Sequence, residues 1–225
     1  MLPILCYHKV GPVEVEGRAL NVEPALLDAH VRFFRRRGCT FLRASDLDDP
    51  WPDRAVCLTF DDAYVSALTH GCEILYSHGV TATFFAVPSL VGGSSDWDGE
   101  RARPLASWET LIQAQDLGFE IGNHTWSHPD LSTLALAEQQ EQWTRADQSL
   151  REHGLVPRSF CYPYGRMNPS STEAARLAGA TVAVAIKKRR AKPDDDRLAL
   201  PRIVIAYSDS IPKLLYKMHI RPLLP

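Results

Sequence analysis

Two adjacent carboxylates, Asp61 and Asp62, follow the apolar run Ala55-Val56-Cys57-Leu58-Thr59-Phe60. About sixty residues later His124 and His128 stand four apart, between Gly122 and Pro129. One carboxylate and two imidazoles make a three-ligand face with open positions, the arrangement of a catalytic divalent-metal centre. A water held there needs a base, and a second carboxylate beside the ion but not bound to it can take the proton. Taken singly, these residues say little. An Asp-Asp pair after a strand is most simply a solvated turn or an acidic helix start. Two histidines four apart occur in many proteins without a metal. Nor is this the zinc-protease helix motif: Thr125 stands where that motif has glutamate, and Gly122 and Pro129 indicate a strand-end loop. It is the joint set, delivered to neighbouring strand ends, that points to a catalytic metal centre with a base beside it.

The elements that must deliver the set are legible from periodicity. Leu2–Cys6 reads as a buried strand ending at Tyr7-His8, and Ala55–Phe60 as another. A strand sends successive side chains to opposite faces, so both aspartates reach one site only through an irregular strand exit. Pro24 opens a helix with Leu26, Leu27, His30, Val31, Phe33 and Phe34 at near-helical spacing, closed by Arg35-Arg36-Arg37 and Gly38. Ala67, Leu68, Cys72, Leu75 and Tyr76 fit one face of the next helix, and Thr81–Val87 is a β-branched and aromatic strand. Ser107 caps a helix over Trp108–Asp116, and Phe119–Gly122 is the strand that carries His124. A long helix follows over Leu136–His153, then the strand Ser159–Tyr162, a helix at Thr172–Ala178, and strands at Ala180–Ile186 and Leu200–Ile205. About seven strand–helix units without an internal break predict one α/β domain, a distorted or incomplete (β/α)7 barrel, with a doubly wound sheet as the alternative. In either fold the site lies at the carboxyl ends of the strands. Residues 1–225 read as a single domain, with 208–225 a C-terminal tail or docked helix.

Composition narrows the function class. Lys+Arg of 25 against Asp+Glu of 27 gives a formal charge of -2, which supplies no field to recruit nucleic acid. Five cysteines without a Cys-x-x-Cys pair suit free thiols in a reducing compartment, and no signal peptide or membrane span is legible, so the expected location is cytoplasmic. Trp97, in the loop after the fourth strand, reads either as a packing residue or as an aromatic face open to a ligand. The tail alternates Ile211, Leu214, Leu215 and Met218 with Lys213, Lys217 and Arg221. It reads as a helix docked on the domain, with membrane-surface contact as the alternative.

Several segments in order resemble the polysaccharide deacetylases, the nodulation-deacetylase homology domain of carbohydrate esterase family four: Leu5-Cys6-Tyr7-His8-Lys9-Val10, Leu58-Thr59-Phe60-Asp61-Asp62, Gly122-Asn123-His124-Thr125, His128-Pro129, Cys161-Tyr162-Pro163-Tyr164-Gly165 and Leu200-Pro201-Arg202. The last two are similar to an exopolysaccharide-deacetylase subset. The resemblance implies removal of an N-acetyl, or O-acetyl, group from a carbohydrate by a metal-activated water. It makes Asp61 the base and Asp62, His124 and His128 the ligands of a divalent ion, usually zinc. It also implies a backbone N–H near Tyr162 as oxyanion donor, with Tyr162 and Tyr164 toward substrate; for a sugar substrate, Trp97 offers an aromatic ring that suits the C–H face of a pyranose. Where the family has glycine after the aspartates this chain has Ala63, so the turn is expected to avoid positive φ. Where the family has an arginine holding the base, this chain has Cys161, and Arg202 is the substitute. No late Leu-x-His supplies the acid, and His8 takes that place. The alternatives are an amidohydrolase acting on a non-sugar amide and a catalytically silent carbohydrate-binding domain.

Overall fold

The structure, a computed structural model, describes residues 1–48 and 50–223. Among these residues ten strands occur: β1 (Ile4–Tyr7), β2 (Lys9–Val10), β3 (Asn21–Val22), β4 (Thr40–Leu42), β5 (Ala55–Phe60), β6 (Thr83–Ala86), β7 (Glu120–Asn123), β8 (Ser159–Cys161), β9 (Val182–Ile186) and β10 (Leu200–Val204). Seven of them form a closed parallel ring in the order β1-β10-β9-β8-β7-β6-β5, which the β1–β5 pairing returns to its start. The register sets Leu5 against both Ile203 and Leu58, and Tyr7 against Phe60. The ring is the expected (β/α)7 barrel. Its distortion lies at β5, whose first residues pair with β4 and whose last pair with β6.

Helices cover the outside: α1 (Val13–Glu16), α2 (Pro24–Arg36), α3 (Cys72–Ser77), α4 (Trp108–Asp116), α5 (Leu136–Glu152), α6 (Ser171–Leu177) and α7 (Ile211–His219). Local chemistry sets their limits. Pro24 occupies the first turn of α2, the Ser107 side chain accepts from the Thr110 N–H to start α4, and the Glu138 carboxylate accepts from the Ala135 N–H to start α5. The helix expected from Ala67 departs from its pattern. Ala67–Gly71 is a π-helical turn leading into α3, and Tyr76, expected on the buried face, is 61% exposed. A wide turn shifts the phase of the residues after it, so Leu75 stays inside while Tyr76 emerges.

Period-two alternation divides the barrel side chains. Ile4, Cys57, Phe85, Cys161, Val184 and Leu200 pack on one another within the ring, together with Ala44 and Leu47 of the turn that plugs its amino-terminal end. Their neighbours Leu5, Tyr7, Leu58, Phe60 and Phe84 pack outward with residues of the covering helices. Gly122 is required inside, because a Cβ there would lie 2.5 Å from the Phe85 ring. Glu120, two residues earlier on the same face, closes the lower polar layer. It accepts from the Ser45 N–H at 3.0 Å and from the Thr83 and Ser159 hydroxyls at 2.8 Å. All ring strands run parallel, so their carboxyl ends share one mouth.

At the carboxyl-terminal end of the chain, α7 buries Leu214 and Met218 against the domain, while Leu224 and Pro225, the end of the expected tail, lie outside the described residues. No described helix is long and apolar enough to cross a membrane.

Candidate active site

Asp61 continues the inward face of β5, in step with Cys57 and Thr59, and its carboxylate sits in the barrel lumen, 3% exposed. Asp62 should then point outward. It does not, because the chain leaves β5 with Asp62 at φ 70° and Ala63 at φ 53°. This is the irregular exit that brings both acids to one place, and it overturns the expectation that Ala63 avoids positive φ. The left-handed pair is stitched down on both sides: the Asp61 N–H donates to Tyr7 O at 2.9 Å and the Ala106 N–H to Ala63 O at 2.9 Å. Left-handed backbone costs a non-glycine residue about 1–2 kcal/mol, so these bonds hold a strained turn.

The histidines arrive by a second constrained turn. His124 keeps the inward phase of Glu120 and Gly122. Asn123, facing the other way, donates to Trp143 O at 3.0 Å and accepts from the Thr125 N–H at 2.8 Å, while the Thr125 hydroxyl accepts from the His128 N–H at 3.1 Å. Thr125 and His128 again take positive φ. As a result His124 Nε2 and His128 Nε2 each lie 3.3 Å from Asp62 Oδ1. His124 Nδ1 lies 2.9 Å from Cys161 O; donation to that carbonyl turns the Nε2 lone pair toward Asp62. Asp62 Oδ1 is buried and accepts no hydrogen bond.

These three atoms fit a cation. Two ligands at a tetrahedral angle, each about 2.0–2.1 Å from a common ion, stand roughly 3.3–3.4 Å apart, and an unsatisfied carboxylate oxygen between two imidazole nitrogens is the donor set such an ion takes. Burial pushes the His128 ring down to about 4 despite Asp62, leaving its lone pair free. For Asp62, burial pushes upward but the two histidines outweigh it, and the carboxyl stays below its usual range.

Arg202 holds Asp61. From inside β10 its guanidinium donates to Asp61 Oδ1 at 2.5 Å and Oδ2 at 2.7 Å, and also to Thr59 Oγ1 and Cys161 Sγ at 2.9 Å. Burial alone would raise the Asp61 carboxyl, but the Arg202 charge and hydrogen bonds drive it far below the carboxylate range. Cys161, in the place of the expected arginine, thus touches the arginine that replaces it. The Cys6 thiol donates to Asp61 Oδ2 at 3.3 Å, a contact sequence reasoning missed; Cys6 precedes His8 by two and shares its inward face, which was the available signal. His8 is 8% exposed, with a ring nitrogen, Cys6 Sγ and an Asp61 oxygen all within 4.8 Å of one another. Burial lowers its basicity, although Asp61 and Asp62 pull the other way.

Trp97 and Tyr164 both reach the site. The Trp97 ring stacks on His128 at 3.9 Å and the Tyr164 ring meets His128 edge-on at 4.6 Å. Trp97 is carried by the segment Asp96–Arg101, which Asp98 anchors by accepting from the Tyr64 and Ser95 hydroxyls at 2.8 and 2.9 Å.

The expectations for Tyr162 fail on both counts. Its side chain follows inward-facing Cys161 and so points outward, fully buried against Trp143, with its hydroxyl donating to Leu198 O at 2.7 Å. Its N–H is spent on Val184 O at 3.1 Å in the β8–β9 ladder. Two residues on, the Tyr164 N–H makes no backbone hydrogen bond among the described residues, in a turn where Tyr164 has φ 58° and Gly165 φ 66°. Gly165 is obligatory there, since a Cβ would stand 2.5 Å from Ile186.

A family model described as Polysaccharide deacetylase matches residues 48–183, more than half the chain and including Asp61, Asp62, His124 and His128. The chain belongs to the polysaccharide deacetylase family. Members of that family hydrolyse acetyl groups from carbohydrates. Among solved structures, the deacetylase PplD of Streptococcus pyogenes, in complex with acetate, shares the fold with a TM-score of 0.81 and 24% identity over 97% of this chain and 98% of that one. IcaB from Ammonifex degensii superposes with a TM-score of 0.80 at 25% identity, covering 95% and 94%. The peptidoglycan-N-acetylglucosamine deacetylase PgdA of Listeria monocytogenes is 27% identical over 72% of this chain, and the match spans only 33% of PgdA. The matched family segment stops short of both His8 and Arg202, which the barrel closure at β1 and β10 brings to the site.

Proposed function

We propose that this chain is a metal-dependent hydrolase that removes an N-acetyl group, or by the same chemistry an O-acetyl group, from a carbohydrate. The observation that carries the reading is the convergence of Asp62 Oδ1, His124 Nε2 and His128 Nε2 next to a carboxylate, Asp61, that is locked on Arg202. Asp62, His124 and His128 would hold a divalent ion, zinc by the preference of a two-imidazole, one-carboxylate set. When bound, such an ion polarises the acetyl carbonyl and acidifies water.

The chain's own groups divide the remaining work. Asp61, charged because of Arg202, takes the proton of the attacking water. His8, with a ring nitrogen within 4.8 Å of an Asp61 oxygen and its basicity lowered by burial, is the group placed to protonate the leaving amine. The Tyr164 N–H, rather than that of Tyr162, is the backbone donor available to the developing oxyanion. Trp97 and Tyr164, both packed on His128, offer apolar faces for a pyranose ring and the acetyl methyl. The Listeria relative's name specifies an N-acetylglucosamine in peptidoglycan, which supports an N-acetylated glycan as the substrate class. The five free thiols, with Cys6 and Cys161 against the Asp61–Arg202 pair, support a reducing, cytoplasmic setting.

The test is acetate release from N-acetylated oligosaccharides. Activity should vanish with a chelator and return with zinc, and the reading fails if acetate is released at full rate from protein stripped of metal.

A further inference from the structure

The tail lysines are paired: Lys217 is turned in to the buried Asp209 carboxylate, and the half-exposed Lys213 bonds it as well. Uncommitted cations collect elsewhere. At the amino-terminal end of the barrel, opposite the candidate active site, a groove of about 500 Å³ runs between the end of α2, the start of β5 and α7. Phe33, Leu215 and Met218 contribute its apolar wall, and Arg36, Arg37, Arg54 and Arg190 stand around it. None of these four arginines pairs with a carboxylate among the described residues, whereas Arg189, next to Arg190, is bonded through two nitrogens to Asp195. The Arg37 guanidinium lies 3.7 Å over the Phe33 ring, holding its charge at the groove wall. Among the described residues that line the groove, Asp53 is the one carboxylate.

The carboxyl terminus of α2 accounts for Arg36 and Arg37, whose charges complement the helix dipole. It does not account for Arg54 and Arg190, which come from the lead-in to β5 and from the β9–β10 loop. In a chain with a net charge of -2, four unpaired guanidiniums around an apolar groove are a segregated positive face. Phosphate headgroups complement such cations, and the apolar wall complements the lipid region just beneath them. Exposed Ile220, directly after α7, extends the same edge.

We propose that this end of the barrel docks on an anionic phospholipid surface through Arg36, Arg37, Arg54 and Arg190. The active-site mouth then faces away from the bilayer, toward glycan that projects from it.

Co-sedimentation with phosphatidylcholine vesicles, with and without phosphatidylglycerol, tests this. Binding is expected only to the anionic vesicles, and it should fall in high salt. Arg36→Glu with Arg54→Glu should weaken it about 30-fold or more, while Arg145→Glu, on the exposed side of α5, leaves it unchanged. Should the double reversal fail to fold, Arg36→Gln with Arg54→Gln carries the same expectation. Equal binding to neutral vesicles, or full binding by a folded double variant, would overturn the proposal. So would displacement by soluble glycerol phosphate, which would assign the groove to a small phosphorylated molecule. Acetate release from a soluble oligosaccharide is independent of all these outcomes.

Discussion

Asp61 and Arg202 form an ion pair in a barrel lumen, where each would be costly alone. Thr59, Cys161 and Cys6 complete the shell, so the carboxylate can rotate little and its charge is fixed. Removing the guanidinium leaves a buried carboxylate unpaired. Arg202→Met should therefore cost about 3–5 kcal/mol of stability in chemical denaturation and abolish turnover, because Asp61 loses the partner that fixes its charge and position. A variant as stable and as active as the parent would refute that role. The two aspartates and two histidines were legible because their donor types and order admit few uses. Arg202 was legible only as a substitute for something absent. Tyr162 was misassigned although the signal existed: Cys161 faces inward, so the residue after it in an extended segment must face outward. The β8–β9 ladder, which consumes the Tyr162 N–H, depends on a strand pairing that single-sequence reasoning does not supply.

The turn Asp61-Asp62-Ala63 is the element on which the site depends, since its left-handed backbone redirects Asp62. Ala63 is buried in this turn at positive φ, so a β-branched side chain there would meet both packing and backbone strain. Ala63→Gly should change stability by no more than about 1 kcal/mol, because relief of strain offsets the lost methyl contact. Ala63→Val should destabilise by about 2–3 kcal/mol through clash and strain and loosen metal retention; thermal melts and metal analysis of the pair would check both. A second element-scale device ties α2 to the turn before α7. His30, fully buried between Tyr7 Oη at 2.9 Å and Asp209 O at 2.6 Å, is held below its usual basicity by burial. Asp209 is also buried, which alone would raise its carboxyl, but Lys217, the Ala206 N–H and Lys213 bring it below its usual range. Both shifts act in the same direction on stability. As pH falls below the ordinary histidine value of about 6.5, the unfolded chain takes up a proton that folded His30 refuses; below about 4 the unfolded chain protonates Asp209 first. Unfolding free energy should therefore decline from about pH 6.5 and steepen below about 4, and Asp209→Asn should flatten the lower limb. Helix α2 was legible from its amphipathic spacing, but this link joins residues 179 apart in the chain, which no local pattern reports.

Across the molecule, closure of the ring is what makes a site from distant segments. β1 and β10 flank each other and bring His8 and Arg202 to a centre whose two aspartates and two metal-facing histidines lie between residues 61 and 128. The count of strand–helix units foretold a barrel, and its parallel strands explain why every candidate group gathers at one end. The helical turn at Ala44–Leu47 is legible locally, but its position as a plug and the split pairing along β5 are not, because they answer to the volume the lumen leaves rather than to any local pattern. A binding domain without catalysis would have no use for a carboxylate locked on a buried arginine beside the ligand cluster. The most direct test of the whole account is metal content measured alongside turnover in purified His128→Ala and Asp61→Asn. The account predicts that His128→Ala loses both metal and activity, whereas Asp61→Asn keeps its metal and loses about a hundred- to ten-thousand-fold in turnover. Full metal content and activity in His128→Ala would contradict it.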